Sequence, residues 1–174
     1  EEIKDLGNME LLFHRLPELV GSPLSINGLR EDLRLAHKTV DKWVQAFERY
    51  YGIFRIMPFG SSKVKAVKKE QKHYHFDWNL VDNEGPRFEN LVACALLKWV
   101  HWKNDTLGED YDLRFYRDTE SREVDFIVTL KNKPIWAIEV KTGDEAASKH
   151  LRYFKSKFPD TKAFQLSLRG KKDF

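Results

Sequence analysis

The chain has 174 residues, 41% hydrophobic and 33% charged, with a formal net charge of +3. That length suits one domain or two small ones, and that balance excludes a disordered chain. A single cysteine, Cys94, excludes an internal disulfide framework and a cysteine zinc site, and no apolar run reaches the ~18–20 residues of a membrane span. With no secretory leader pattern either, the expectation is a cytoplasmic globular protein without a membrane partner. The small net charge permits a nucleic-acid partner without arguing for one. The chain opens EEIKDLGN, without methionine, and so reads as a fragment of something longer.

The first half, residues 1–80, reads as helical and then extended. Leu12, Phe13, Leu16 and Val20 recur at helical spacing from Met9 to Val20, with Asn8 as an N-cap and Pro17 ending or kinking the regular part. Ser25 caps a second helix with Ile26, Leu29 and Leu33 on one face. A third helix, Thr39 to Tyr51, turns Val40, Trp43, Val44, Phe47 and Tyr50 inward, and Gly52 closes it. The period then changes: Ile53–Met57, Val64–Val67 and His73–Phe76 read as extended pieces. Three helices followed by a β-hairpin outline a winged helix, whose second and third helices form the helix-turn-helix.

Val81–Gly85 reads as the linker to a second half, residues 81–174. There the pattern predicts a helix from Arg87 to Lys103, with Pro86 at its first position and Phe88, Leu91, Val92, Ala95, Leu96 and Trp99 as its buried stripe. Strands follow at Asp112–Arg117, Glu123–Leu130 and Pro134–Lys141. A helix from Glu145 to Phe158, with Ala147, Leu151, Phe154 and Phe158 inward, and a strand at Ala163–Leu168 complete an αβββαβ order. Cys94, inside an apolar run, reads as a small core residue.

One constellation carries chemistry. Glu139 and Lys141 are two apart on a strand and share its less apolar face. A loop Lys131-Asn132-Lys133 centred on Asn132 sets Asp125 opposite Glu139, and only even register shifts keep both apolar faces matched. Directly opposed Cβ atoms lie ~4.5–5.5 Å apart. Two carboxylates so close repel each other unless a cation offsets them, and carboxylate oxygens with open water positions suit Mg²⁺. Lys141 is placed to position or deprotonate a water, or to steady a phosphate. Glu89, in the first turn of the Pro86 helix, reaches the same site if that helix packs on the sheet.

This pattern resembles the PD-(D/E)xK nuclease superfamily, whose core is αβββαβ and whose signature is a helix Glu, a strand Asp and (D/E)-x-K on the next strand. Those positions fall on Glu89, Asp125 and Glu139-Val140-Lys141, while Val124 stands where the superfamily prefers proline. More narrowly, the chain is similar to the C-terminal region of prokaryotic, archaeal-type AAA ATPases, in which a winged helix and a nuclease-like domain of unknown function follow the nucleotide-binding domain. The matching pieces include Lys38-Thr39-Val40, Tyr74-His75-Phe76-Asp77, Arg87-Phe88-Glu89-Asn90, Tyr116-Arg117, Glu123-Val124-Asp125-Phe126-Ile127 and Ile138-Glu139-Val140-Lys141.

The resemblance implies an α+β or α/β chain with a restriction-endonuclease-like half. It implies a Mg²⁺- or Mn²⁺-dependent phosphodiesterase of endonuclease or resolvase type acting on DNA. Asp125, Glu139 and Glu89 would be metal ligands and Lys141 would orient water. No G-x-x-x-x-G-K-[ST] loop is present, so ATP enters only through an upstream ATPase domain. Oligomerisation is compatible with this reading. The competing readings are a catalytically silent nucleic-acid- or protein-binding module of the ATPase, and a winged-helix transcription regulator.

Several weaker signals accompany the constellation. Lys63, Lys65, Lys68, Lys69 and Lys72 fall in and after the proposed wing, where they suit either phosphates or a solvated sheet edge. Lys38, Lys42 and Arg49 on the third helix are diluted by Asp41 and Glu48. Arg117 suits a phosphate beside the site or a plain surface position. His73 and His75 share a strand face near Asp77 and read as exposed strand residues before a metal site.

Overall fold

The computed structural model describes residues 5–60 and 71–170. The expected extended piece Val64–Val67 lies outside them. The described residues form a mixed α+β fold with five α-helices: α1 (Leu6–Arg15), α2 (Ile26–Leu33), α3 (His37–Arg49), α4 (Glu84–Leu107) and α5 (Lys149–Lys157). Six strands accompany them: β1 (Ile53–Pro58), β2 (Lys72–His75), β3 (Tyr111–Arg117), β4 (Glu123–Leu130), β5 (Lys133–Lys141) and β6 (Lys162–Ser167). All six join one sheet in the order β2-β1-β3-β4-β5-β6. The β1–β3 and β5–β6 pairs are parallel and the rest antiparallel.

The sheet therefore runs across the expected linker. β1 and β2 extend the sheet of the second half through Met57↔Arg114 and Pro58↔Phe115. Asn90 of α4 fastens the same junction. It donates to the His75 carbonyl at 2.7 Å and accepts from the His75 N–H at 2.8 Å, satisfying both backbone groups of that buried residue. Val81, expected in the linker, is 1% exposed and joins the core beneath α4.

Three apolar clusters among the described residues hold the fold. Leu12, Leu16, Leu29, Val40, Val44 and Ile53 pack α1–α3 together and onto β1. Phe54, Tyr74, Val92, Phe115, Phe126 and Ile138 lie between α4 and one face of the sheet. Val124, Ile127, Ala137, Leu151 and Phe154 lie between the other face and α5.

Several element ends differ from the expectation. Asp5, not Asn8, caps α1, and its side chain accepts from the Asn8 N–H. The chain then tightens into a 3₁₀ turn, Leu16–Leu19, around Pro17, whose ring leaves no N–H for an α-helical bond. Ser25 caps α2 as expected, accepting from Gly28 N–H at 3.2 Å. The left-handed residue that ends α3 is Tyr51, at φ 57°, not Gly52. Gly52 donates to the Phe47 carbonyl at 2.8 Å, and a Cβ on it would stand 3.1 Å from Phe13 Cε2, so a side chain there requires the Phe13 ring to give by a few tenths of an ångström.

The helix α4 starts at Glu84, ahead of Pro86, and buries Asn90, Val92, Ala93 and Val100, leaving Leu91 and Ala95 exposed. The buried stripe is thus rotated from the expected one because β2 covers a flank of α4 that a second-half sheet alone would leave open. Cys94 is half-buried and donates to the His75 carbonyl at 3.2 Å. The helix α5 is shorter than expected: Ser148 caps it, and Ala147 is exposed ahead of it.

Candidate functional site

The β4–β5 turn sets the geometry. Lys131 and Asn132, at φ 49° and 63°, form a two-residue turn, not the expected three-residue loop. Such turns need two left-handed residues, and their twist matches that of the flanking strands. A register shift beyond Val128 then adds one residue on β5, so the ladder resumes at Val128↔Trp136, Ile127↔Ala137 and Phe126↔Ile138. Continued by one residue, that register sets Asp125 across from Glu139. The shorter turn and the bulge cancel.

A second irregularity, between Arg114 and Tyr116 of β3, aims Asp125. Arg114 pairs with Ile127 but Tyr116 with Val124, so β4 holds an extra residue at Asp125–Phe126. Val124 and Ile127 consequently face α5 together, while Phe126 faces α4. Strict alternation puts Asp125 on the face of Ile127; the bulge turns it toward β5 and α4 instead. Its Oδ2 accepts from the Val140 N–H at 2.8 Å.

Lys72, at the start of β2, is fully buried, and its Nζ lies 2.6 Å from Glu123, 3.4 Å from Glu89 and 3.7 Å from Asp125. Tyr74, two residues on and on the same face, donates its hydroxyl to Glu89 Oε1 at 2.7 Å. Burial alone works to lower the Lys72 ammonium, but Glu89, Asp125 and Glu123 outweigh it and hold the group above its ordinary value, so it stays charged. Burial, then the charges of Glu89 and Glu139, push the Asp125 carboxyl up to about 7, against the lowering effects of Lys72 and the Val140 N–H.

On β5, Lys141 Nζ lies 3.0 Å from Glu139 Oε1. Burial works to lower this ammonium too, but the hydrogen bond and charge of Glu139 outweigh it and hold the group above its ordinary value. The other carboxylate oxygen, Glu139 Oε2, is buried and has no hydrogen-bond partner among the described residues.

The structure thus links all four signature residues. Glu89 and Asp125 share Lys72, Glu139 acts on Asp125 through its charge, and Lys141 pairs with Glu139. Among the described residues, no group of three or more His, Cys, Asp and Glu side chains is placed to hold one metal ion. Glu89, Glu123 and Asp125 converge on an ammonium instead. The donors still suit a hard divalent cation, being carboxylates, one of which carries a buried oxygen without a partner.

The basic residues divide. Arg117 is half exposed at the rim, 3.7 Å from Glu123 Oε2. Lys38 and Lys42 are exposed on α3. Lys63, Lys65, Lys68 and Lys69 lie outside the described residues. His73 and His75, expected to be exposed, are fully buried because β2 is covered by α1 and its 3₁₀ turn on one side and by α4 on the other. A separate groove between α5 and β6, lined by Leu151, Phe164, Leu166 and Gln165, contains none of the signature residues.

Lys72, Tyr74 and Glu123 were not among the expected site residues. Glu123 was legible, being two residues from Asp125 on one strand. Lys72 was hidden among neighbouring lysines that suit a solvated edge.

The fold and cluster define a mixed α+β protein with a buried carboxylate–lysine centre. The chain belongs to the family described as domain of unknown function DUF4143, which matches residues 84–172. Residues 1–83 match a second domain of unknown function, DUF8612. No curated protein and no solved structure matches the chain. No helix among the described residues is long and apolar enough to cross a membrane.

Proposed function

We propose that this protein is a metal-dependent phosphodiesterase acting on DNA, with a PD-(D/E)xK-type C-terminal half and a winged-helix N-terminal half, working beside an AAA-type ATPase domain in the cytoplasm. The observation that carries the reading is the buried, partnerless Glu139 Oε2 in the same cluster as Asp125 and Lys141. A buried acceptor left unmade costs ~1–3 kcal/mol, which a ligand recovers. The order helix, three strands, helix, strand and the Asp125–Glu139 register support it further.

Asp125 and Glu139 would hold Mg²⁺ or Mn²⁺, with Glu89 assisting from α4. Such an ion supplies Lewis-acid charge at a phosphoryl oxygen. Lys141, kept protonated by Glu139, orients the attacking water or a phosphate oxygen by donating to it. Arg117 at the rim suits a flanking phosphate.

The test is cleavage of a labelled panel of duplexes, flaps and junctions with Mg²⁺ and Mn²⁺, beside Lys141→Ala. Metal-dependent cutting that the variant lacks supports the reading. No cutting and no metal binding by folded protein sinks it, and leaves a docking module of the ATPase.

A further inference from the structure

We infer that Lys72 is a tethered cation that occupies the carboxylate cluster in the metal-free protein, so that a divalent ion must compete with it to bind. The inference rests on the metal-site reading above and assigns Lys72 and Glu123 a role outside the four signature residues.

A lysine near a site more often reaches in from a solvated rim, where its long stem leaves the ammonium mobile. Here the whole side chain is buried, and three acids from two elements surround its ammonium at 2.6–3.7 Å. Burying a strongly hydrated ammonium is costly unless opposite charges and hydrogen bonds offset it. Conversely, Glu89, Glu123 and Asp125 gathered without a cation would repel one another. Each half of the arrangement stabilises the other, so the apo fold needs no metal to hold its acids together.

Glu139 Oε2 has no partner among the described residues, whereas Asp125 and Glu89 are engaged by Lys72. An ion seated on Glu139 and Asp125 brings two positive charges beside the ammonium at short range, in surroundings that screen poorly. Ion and ammonium therefore exclude each other from the Asp125 carboxylate. Glu123, which lies nearest Lys72, is the anchor that keeps the ammonium in place.

The experiment is Mn²⁺ binding to the full chain at fixed pH and salt, followed by paramagnetic resonance, for wild type, Lys72→Met and Glu123→Gln. Lys72→Met keeps the length of the stem and removes the charge, and should bind Mn²⁺ at least ~10-fold more tightly. Glu123→Gln loosens the anchor without touching the proposed ligands, and should tighten binding by ~3-fold or more. It also covers the case in which Lys72→Met does not fold. Equal or weaker binding in a folded Lys72→Met overturns the inference while leaving the metal reading intact. Weaker binding in Glu123→Gln overturns it too, because Glu123 would then be a ligand and not an anchor. No Mn²⁺ binding by any of the three proteins defeats the metal reading itself, and the inference with it.

Discussion

Asp125 reaches across to β5 and takes the Val140 N–H on its Oδ2 at 2.8 Å. A carboxylate that serves the sheet ladder is fixed in direction, so its remaining oxygen is presented to the cluster without cost in side-chain freedom.

Asp125→Asn keeps an acceptor for Val140 and removes the charge, whereas Asp125→Ala leaves that N–H unmet. The alanine variant should be less stable than the asparagine variant by ~1 kcal/mol in urea denaturation, while both lose Mn²⁺ binding. Equal stability of the two would show that the Val140 bond contributes nothing.

Asn90→Ala removes both hydrogen bonds to the buried His75 backbone, at 2.8 and 2.7 Å. The His75 N–H is then left unsatisfied and its carbonyl keeps only the Cys94 thiol, so stability should fall by ~1–3 kcal/mol. Because Asn90 ties α4 to β2, hydrogen exchange at β2 should accelerate more than at β5. Uniform acceleration would mean that the two halves open together.

Gly21 sits at φ 85°, and a Cβ there would stand 2.9 Å from Glu89 Oε2. Gly21→Ala therefore carries backbone strain of ~1–2 kcal/mol and also displaces the Glu89 carboxylate from Tyr74 and Lys72. A lowered melting temperature with a changed Mn²⁺ affinity is the expected pair of effects. A lowered melting temperature with unchanged affinity would detach Glu89 from the metal site.

His73 and His75 are lowered from 6.5 to about 4, chiefly by burial. A folded value below the unfolded one means that the unfolded state takes up protons first. Their effect is absent above pH 6.5, grows as pH falls through that value, and is complete below pH 4. A shift of this size corresponds to roughly 3 kcal/mol per ring. The melting temperature should therefore drop between pH 6.5 and 4, and less steeply in His75→Phe. A flat profile in the wild type would place these rings in water.

The order of the elements was legible in the sequence, and so was the hairpin register that runs up to Phe126↔Ile138, beside Asp125 and Glu139. Apolar periodicity encodes strands and helices locally, and a hairpin register follows from matching two apolar faces. That register survived an error in the turn, because a two-residue turn and a one-residue bulge sum to the same offset. The direction of Asp125 was not legible. It depends on the extra residue that β4 holds against β3, and a bulge leaves no mark in alternation.

The burial of Lys72, His73 and His75 lay equally beyond the sequence. Charge and polarity mark a residue for solvent, and only the packing of β2 against α1, its 3₁₀ turn and α4 overrides that preference. The sequence by itself determined which acids lie on neighbouring strands, since that is a matter of spacing along one hairpin. Only the tertiary structure decided that a lysine from the other half of the chain would stand among them, because contacts distant in sequence arise from how the faces pack.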